Sequence, residues 1–369
     1  MEVDSILESN CPLIFHEAIN DWNISHWTFD EWVKYFDGQP LKFRVGSKTC
    51  HQEPQWERTC KTVTMTLNQF NEITQRNKSD DWFYFDYKYL KDCCSHNSSL
   101  LDDINWGCVG FPERTGEEST LWIGSEGAHT PCHVDTYGCN FVAQLFGKKR
   151  WLLFPPDTPN LKPSRIPYEE SSIYSSINFH CRQSCNEDSF KHAYFVELGP
   201  GDVLFVPSNW WHYVENISTA ISINTWVPLA SDNLSRLKEC LIRFLVSSVK
   251  PMLSPDISQK LLNPNEDDIE TASECLEKLS ICINQLSSEA KSSCKDDEKT
   301  PKRLKKLNAR YSAVNPISSD QIHGLRTKCS CDKEDCGVKE SSLVLNVINS
   351  FCNYQNINSV SENLLSRYL

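Results

Sequence analysis

The stretch Ala193-Tyr194-Phe195-Val196-Glu197-Leu198-Gly199-Pro200-Gly201-Asp202-Val203-Leu204-Phe205-Val206-Pro207-Ser208-Asn209-Trp210-Trp211-His212 decides the architecture. It reads as two short strands, 193–198 and 203–206, folded back at a Gly-Pro-Gly-Asp turn, with another strand opening at Trp211. The same rhythm of brief apolar runs cut by Gly and Pro extends outward over 119–228. Further strands are expected at Leu121–Gly124, Asn140–Leu145, Lys149–Phe154, Trp211–Glu215 and Ala220–Trp226, with Phe146-Gly147-Lys148 as a hairpin turn. Many short strands with little helix between them favour a double-sheet jelly roll, or double-stranded β-helix.

Towards the N-terminus the pattern is mixed. Pro12–Phe15 and Leu41–Val45 read as strands, Thr28-Phe29-Asp30-Glu31 as a capping box opening a helix, and Leu67, Phe70 and Ile73 as one face of another. After Pro228 the chain turns helical, with Leu234, Leu237, Leu241, Phe244 and Leu245 on one stripe and a second helix over 269–286. The expected class is mainly β with flanking helices (α+β). Its expected units are an α/β elaboration over 1–118, a jelly-roll core over 119–228, a helical region over 229–286, a polar linker over 287–310 and a helical C-terminal unit over 311–369.

Composition narrows the function classes. At 39% hydrophobic with 11 Trp, the chain has the apolar material for a large core without disulfide staples. A net charge of −12 leaves no chain-wide basic field for nucleic acid, so protein partners are favoured over RNA or DNA. Met1–Asn10 carries Glu2, Asp4 and Glu8 rather than a basic and apolar leader, and no run of about 18 apolar residues occurs. Neither secretion nor membrane insertion is expected, and a cytoplasmic location, with the nucleus as a second, follows. The 18 cysteines then read as reduced thiols, and the sequons at Asn97 and Asn216 as chance matches.

Chemistry enters with His133-Val134-Asp135. Alternate residues of a strand point the same way, so both side chains can reach one ion. His212, on a strand distant in sequence, supplies a third ligand. Two imidazoles and one carboxylate leave positions open, the arrangement of non-haem Fe(II) sites. Taken alone, His-X-Asp is a weak pattern, and a core histidine satisfied by a carbonyl is the bland alternative for His212. Lys149 shares a strand face with Trp151 and Leu153, which points it inward; the bland alternative there is a solvent-facing lysine.

Thr130-Pro131-Cys132-His133-Val134-Asp135, Asn140, Gly147-Lys148-Lys149-Arg150-Trp151, Trp210-Trp211-His212 and Asn224-Thr225-Trp226 together resemble the JmjC family of 2-oxoglutarate oxygenases. The resemblance runs from about Pro12 to Lys250. It implies a cupin-like core, Fe(II) held by His133, Asp135 and His212, and 2-oxoglutarate as co-substrate. Thr130 and Lys149 would hold the far carboxylate of 2-oxoglutarate, and Asn140 and Asn224 would line its pocket. Leu121–Ser125, Arg165–Ser172 and Val203–Pro207 look like the branch of that family associated with small heat-shock proteins. The implied reaction is hydroxylation of a protein side chain, or demethylation, with release of succinate and CO2. The rival is a catalytically silent scaffold that binds small heat-shock proteins.

Weaker features stay open. Cys329-X-Cys331 with Cys336 and His323 offers one half of a zinc site, and surface cysteines are the simpler explanation. Lys302–Arg310 is basic but follows Asp296, Asp297 and Glu298, as in a solvated linker. The aromatic run Trp82, Phe83, Tyr84, Phe85, Tyr87 and Tyr89 is expected in the core, with a substrate wall as the lesser alternative.

Overall fold

The computed structural model describes residues 3–49, 54–57, 60–76, 79–94, 98–159, 161, 163–164, 172–181, 185, 187–261, 269–292, 307, 309–326 and 343–368. The strands among them, in chain order, are β1 (Leu13–Phe15), β2 (Leu41–Ser47), β3 (Lys61–Met65), β4 (Asp81–Tyr89), β5 (Thr120–Gly124), β6 (His129–Asp135), β7 (Cys139–Phe146) and β8 (Lys149–Phe154). They continue with β9 (Pro163–Ser164), β10 (Ser172–Ser175), β11 (Tyr194–Leu198), β12 (Val203–Val206), β13 (Trp211–Asn216), β14 (Ala220–Val227), β15 (Tyr311–Ala313) and β16 (Asn315–Pro316).

Two antiparallel sheets face one another, in the orders β15-β1-β12-β7-β14-β5-β4-β2-β3 and β16-β11-β8-β13-β6-β10-β9. Alternation along the strands builds the layers. On β7, Val142 points between the sheets to meet Trp151, Leu153, Leu204 and Val214, while Phe141 and Ala143 point out beneath the N-terminal helices with Phe29, Trp32 and Phe70. Strands buried on both faces carry apolar residues at successive positions, as in Phe141-Val142-Ala143 of β7 and Trp151-Leu152-Leu153-Phe154 of β8. The hairpin between them needs Gly147: its φ is +63°, and a Cβ there would run into the Thr219 carbonyl.

The expected capping box at Thr28 and Glu31 is present, and Thr66 with Gln69 forms a second one. Helix Asp232–Val249 packs on helix Ala272–Ser292 through Leu237, Leu241, Leu279 and Ile283. No described helix is long and apolar enough to cross a membrane. The described cysteines are free thiols and most are buried.

Three features of the structure bear on the expected organisation. The boundary expected at 118/119 runs through a continuous sheet, because β4 pairs with β5 and β1 pairs with β12. Residues 287–292, expected in a linker, belong to helix Ala272–Ser292. Residues 311–316, expected in a helical unit, are strands: β15 adds to β1 on the edge of one sheet and β16 adds to β11 on the edge of the other, with Val314 buried between the sheets. Open sheet edges seek partners, and hydrophobic periodicity cannot announce a strand of two or three residues. Arg165–Ser171, Lys302–Lys306 and Cys329, Cys331 and Cys336 lie outside the described residues.

Candidate functional site

The metal-type residues are brought together by pairing β6 with β13, which sets His212 opposite His133. The register then slips: Val214 faces Thr130, so three steps along β6 oppose two along β13. That bulge turns Thr130 to the face that already carries His133 and Asp135, and all three line one cavity of about 510 Å3. One ligand atom from each of His133, Asp135 and His212 lies within 4.8 Å of the others.

Both imidazoles are pre-aimed. His133 Nδ1 lies 2.9 Å from the Pro131 carbonyl and His212 Nδ1 lies 3.0 Å from the Trp210 carbonyl. A carbonyl only accepts, so each Nδ1 donates and each Nε2 is turned towards the site. The bland reading of His212 describes one nitrogen, and the other stands 3.9 Å from Asp135. Asp135 is oriented as firmly: its Oδ2 accepts from the Trp226 indole at 2.9 Å and from Asn140 at 3.2 Å. Asn140 accepts from Asn224 at 2.9 Å, and Asn224 accepts from the Trp122 indole at 2.7 Å. Asn140 and Asn224 thus line the cavity, as the resemblance implies, with their amides engaged in steering the carboxylate.

The charges follow from burial and proximity. Burial works against the Asp135 anion, yet the His133 hydrogen bond and the two imidazoles hold it down at about 2. Burial also disfavours His133 as a cation, but Asp135 outweighs it and leaves that imidazole above its ordinary value. Burial and the neighbouring His133 push His212 down to about 4. An ionised carboxylate beside a neutral imidazole at neutral pH is a donor set ready for a divalent cation.

Lys149 sits elsewhere in the same cavity, 2% exposed on the inward face of β8 as the period-two reading expects. Its ammonium has one hydrogen-bond partner among the described residues, the Tyr84 hydroxyl at 3.2 Å, and Tyr84 is in turn hydrogen-bonded to Thr130. Burial pulls Lys149 down to about 7, with Asp86 opposing. The Ser222 hydroxyl, buried in the cavity wall, has no hydrogen-bond partner among the described residues. A buried cation without a carboxylate and an unmet hydroxyl fit a cavity shaped for an anionic, hydrogen-bonding ligand.

The sequence reading missed Tyr84 and Trp226 as site residues. Tyr84, Tyr87 and Tyr89 of the aromatic run line the cavity, so the substrate-wall alternative, set second, describes those three, while Trp82 and Phe85 are core. The signal available was the period-two spacing of Tyr87 and Tyr89, and Tyr84, three residues before Tyr87, falls outside it. It is imperfect because β4 slips register between Phe85 and Lys88, where Tyr87 adopts φ +53°.

A profile of the cupin-like domain family matches residues 1–231. HSPB1-associated protein 1 of Bos taurus is 43% identical over 270 residues, covering 69% of this chain and 56% of that protein. The HSPB1-associated protein 1 homolog of Danio rerio is 36% identical over 304 residues, covering 78% of this chain and 68% of that protein. More distantly, lysine-specific demethylase 8 of Xenopus tropicalis is 24% identical over 234 residues, 60% of this chain and 49% of that protein. The chain thus spans little more than half the length of the bovine relative.

Proposed function

The chain belongs to the cupin-like domain family, and from that premise we propose that it is an oxygenase using Fe(II) and 2-oxoglutarate to hydroxylate a protein side chain. One observation carries the reading: a single cavity is lined by two imidazoles and a carboxylate within reach of one ion, and by a buried lysine with no ion pair among the described residues. His133, Asp135 and His212 would hold the metal, and Lys149 with Tyr84 and Thr130 would receive the far carboxylate of the co-substrate. When bound, Fe(II) and 2-oxoglutarate would supply the chemistry that activates O2, one oxygen atom entering the substrate C–H bond and the other ending in succinate as CO2 is lost.

The chain's own contribution is orientation and dryness. Backbone carbonyls fix both tautomers, Trp226 and Asn140 set the angle of Asp135, and Trp122, Trp151 and Tyr174 wall the cavity against water. Hydroxylating an N-methyl carbon, which ends in demethylation, needs the same machinery and is the second output to assay.

The names of the bovine and zebrafish relatives favour a further reading, a scaffold that binds small heat-shock proteins with or without turnover. A scaffold has no physical need of an underpaired buried lysine, which is why the oxygenase stands first. The test is anaerobic titration with Fe(II) and 2-oxoglutarate, then O2-dependent succinate release with and without small heat-shock proteins. Saturable binding of both and oxygen-dependent succinate are expected. Failure of the parent chain to bind 2-oxoglutarate would overturn the oxygenase and leave the scaffold.

A further inference from the structure

Beside the metal cavity lies a second, smaller one of about 330 Å3, and Tyr89 and Trp226 line both. Its wall includes Thr120, Arg114 and Lys91. Thr120 and Trp122 share a face of β5, so Thr120 continues the wall that Trp122 begins in the metal cavity. The Thr120 hydroxyl is buried, with the residue 1% exposed, and has no hydrogen-bond partner among the described residues.

Arg114 is half-buried and held by one nitrogen, its Nε donating to the Thr225 hydroxyl at 2.8 Å. No carboxylate pairs with its guanidinium among the described residues. Glu118 also lines the cavity, but its carboxylate turns back on Thr115 as a helix cap, accepting from that backbone N–H at 2.9 Å and from the hydroxyl at 3.2 Å. A partly desolvated guanidinium with free N–H groups and a buried hydroxyl lacking a partner are complementary to one small anion.

We propose that this second cavity is a specificity subsite that takes a carboxylate side chain of the protein substrate, an aspartate or glutamate flanking the residue presented to the metal. The proposal rests on the oxygenase reading for what occupies the first cavity. A carboxylate suits the subsite better than a nucleic-acid phosphate, because Glu117 and Glu118 at the rim oppose a polyanion and the chain carries −12 overall. The same net charge means that any preference for an acidic peptide must come from a local contact.

The experiment uses the full chain, anaerobic, with Fe(II) and 2-oxoglutarate. Fluorescein-labelled hexapeptide pools are compared by anisotropy, aspartate against asparagine fixed at each position in turn and all other positions randomised identically. Aspartate at one position should tighten binding at least fivefold. Arg114→Gln should abolish that difference while leaving 2-oxoglutarate affinity unchanged, and Lys91→Gln, at an exposed position, should reduce it. No aspartate preference at any position, or one that survives Arg114→Gln, overturns the subsite. So does a single-stranded oligoribonucleotide whose binding depends on Arg114 when that of the peptides does not. If 2-oxoglutarate itself fails to bind, the oxygenase reading falls; if it binds and the aspartate preference is absent, only the subsite falls.

Discussion

The two functional regions of the main cavity are built on opposite principles. Around His133, Asp135 and His212 every side chain is already held, by carbonyls on the imidazoles and by Trp226 and Asn140 on the carboxylate. Around Lys149 the only hydrogen-bond partner among the described residues is a neutral phenol. Residues that wait for a cation can attract one another meanwhile, since an imidazole and a carboxylate are complementary. A lysine that waits for an anion stays underpaired and costs stability until the ligand arrives. On the proposed function, the role of Lys149 would therefore oppose the fold, whereas the proposed metal ligands coexist with it.

The sharpest way to break the first half of that contrast is His212→Ala. It should abolish oxygen-dependent succinate formation and weaken Fe(II) binding by more than the ~10–100-fold that loss of an outer partner costs. The thermal unfolding midpoint should stay near that of the parent, because sheet packing rather than the metal holds the core. Anaerobic iron titration and calorimetry read the two effects separately, and a variant with full turnover would falsify the ligand assignment.

The second half is tested by Lys149→Met. On the oxygenase reading, losing the buried Lys149 ammonium should cost on the order of a hundredfold in 2-oxoglutarate affinity, from an unpaired buried anion worth about 3–5 kcal/mol. The same change should stabilise the ligand-free protein, because an apolar side chain has no ammonium to desolvate. Lys148→Ala, one residue away and exposed, should match the parent in both measurements. Denaturant unfolding that shows Lys149→Met less stable than the parent would remove the contrast.

Legibility in the sequence followed the same divide. Lys149 could be placed because β8 is regular and its face is set by counting in twos from Trp151 and Leu153. His133, Asp135 and His212 were legible because spacing and ligand chemistry coincide. Thr130 was reached only through family resemblance, since a strict alternation puts it opposite His133 and only the bulge against β13 turns it back. Tyr84 was hidden because nothing local marks one tyrosine of an aromatic run as the partner of a lysine 65 residues on. The edge strands at 311–316 were hidden because their partners lie almost 300 residues upstream in β1 and more than 100 upstream in β11.

Trp226, two residues beyond Asn224 on the same face of β14, gives the next prediction. Trp226→Phe keeps an aromatic wall but removes the indole N–H from Asp135 Oδ2. The carboxylate then keeps only Asn140 as a neutral donor, and Fe(II) affinity should fall by about 10–100-fold with little change in 2-oxoglutarate affinity at saturating metal. A matching loss in both would mean that Trp226 supports the cavity as a whole and does not steer one ligand.

The smallest effect expected is a pH dependence confined to Lys149. In the free protein its pKa is lowered from 10.5 to about 7 by burial. A bound carboxylate favours the ammonium and raises that value, so above about pH 7 binding must take up a proton. Affinity for 2-oxoglutarate should be flat below about pH 7 and then fall by up to ~tenfold per unit. Lys149→Arg, which stays protonated throughout, should flatten the profile even if its longer fork lowers affinity at every pH. Stability runs the other way: the unfolded chain holds this proton up to 10.5 and the folded chain releases it near 7, so between those values the ligand-free protein gains stability as pH rises. Lys149→Met should lack that gain. Proton uptake is read directly by calorimetry of 2-oxoglutarate binding in buffers of different ionisation enthalpy, and an affinity constant from pH 7 to 9 in the parent would show that Lys149 enters the complex already charged.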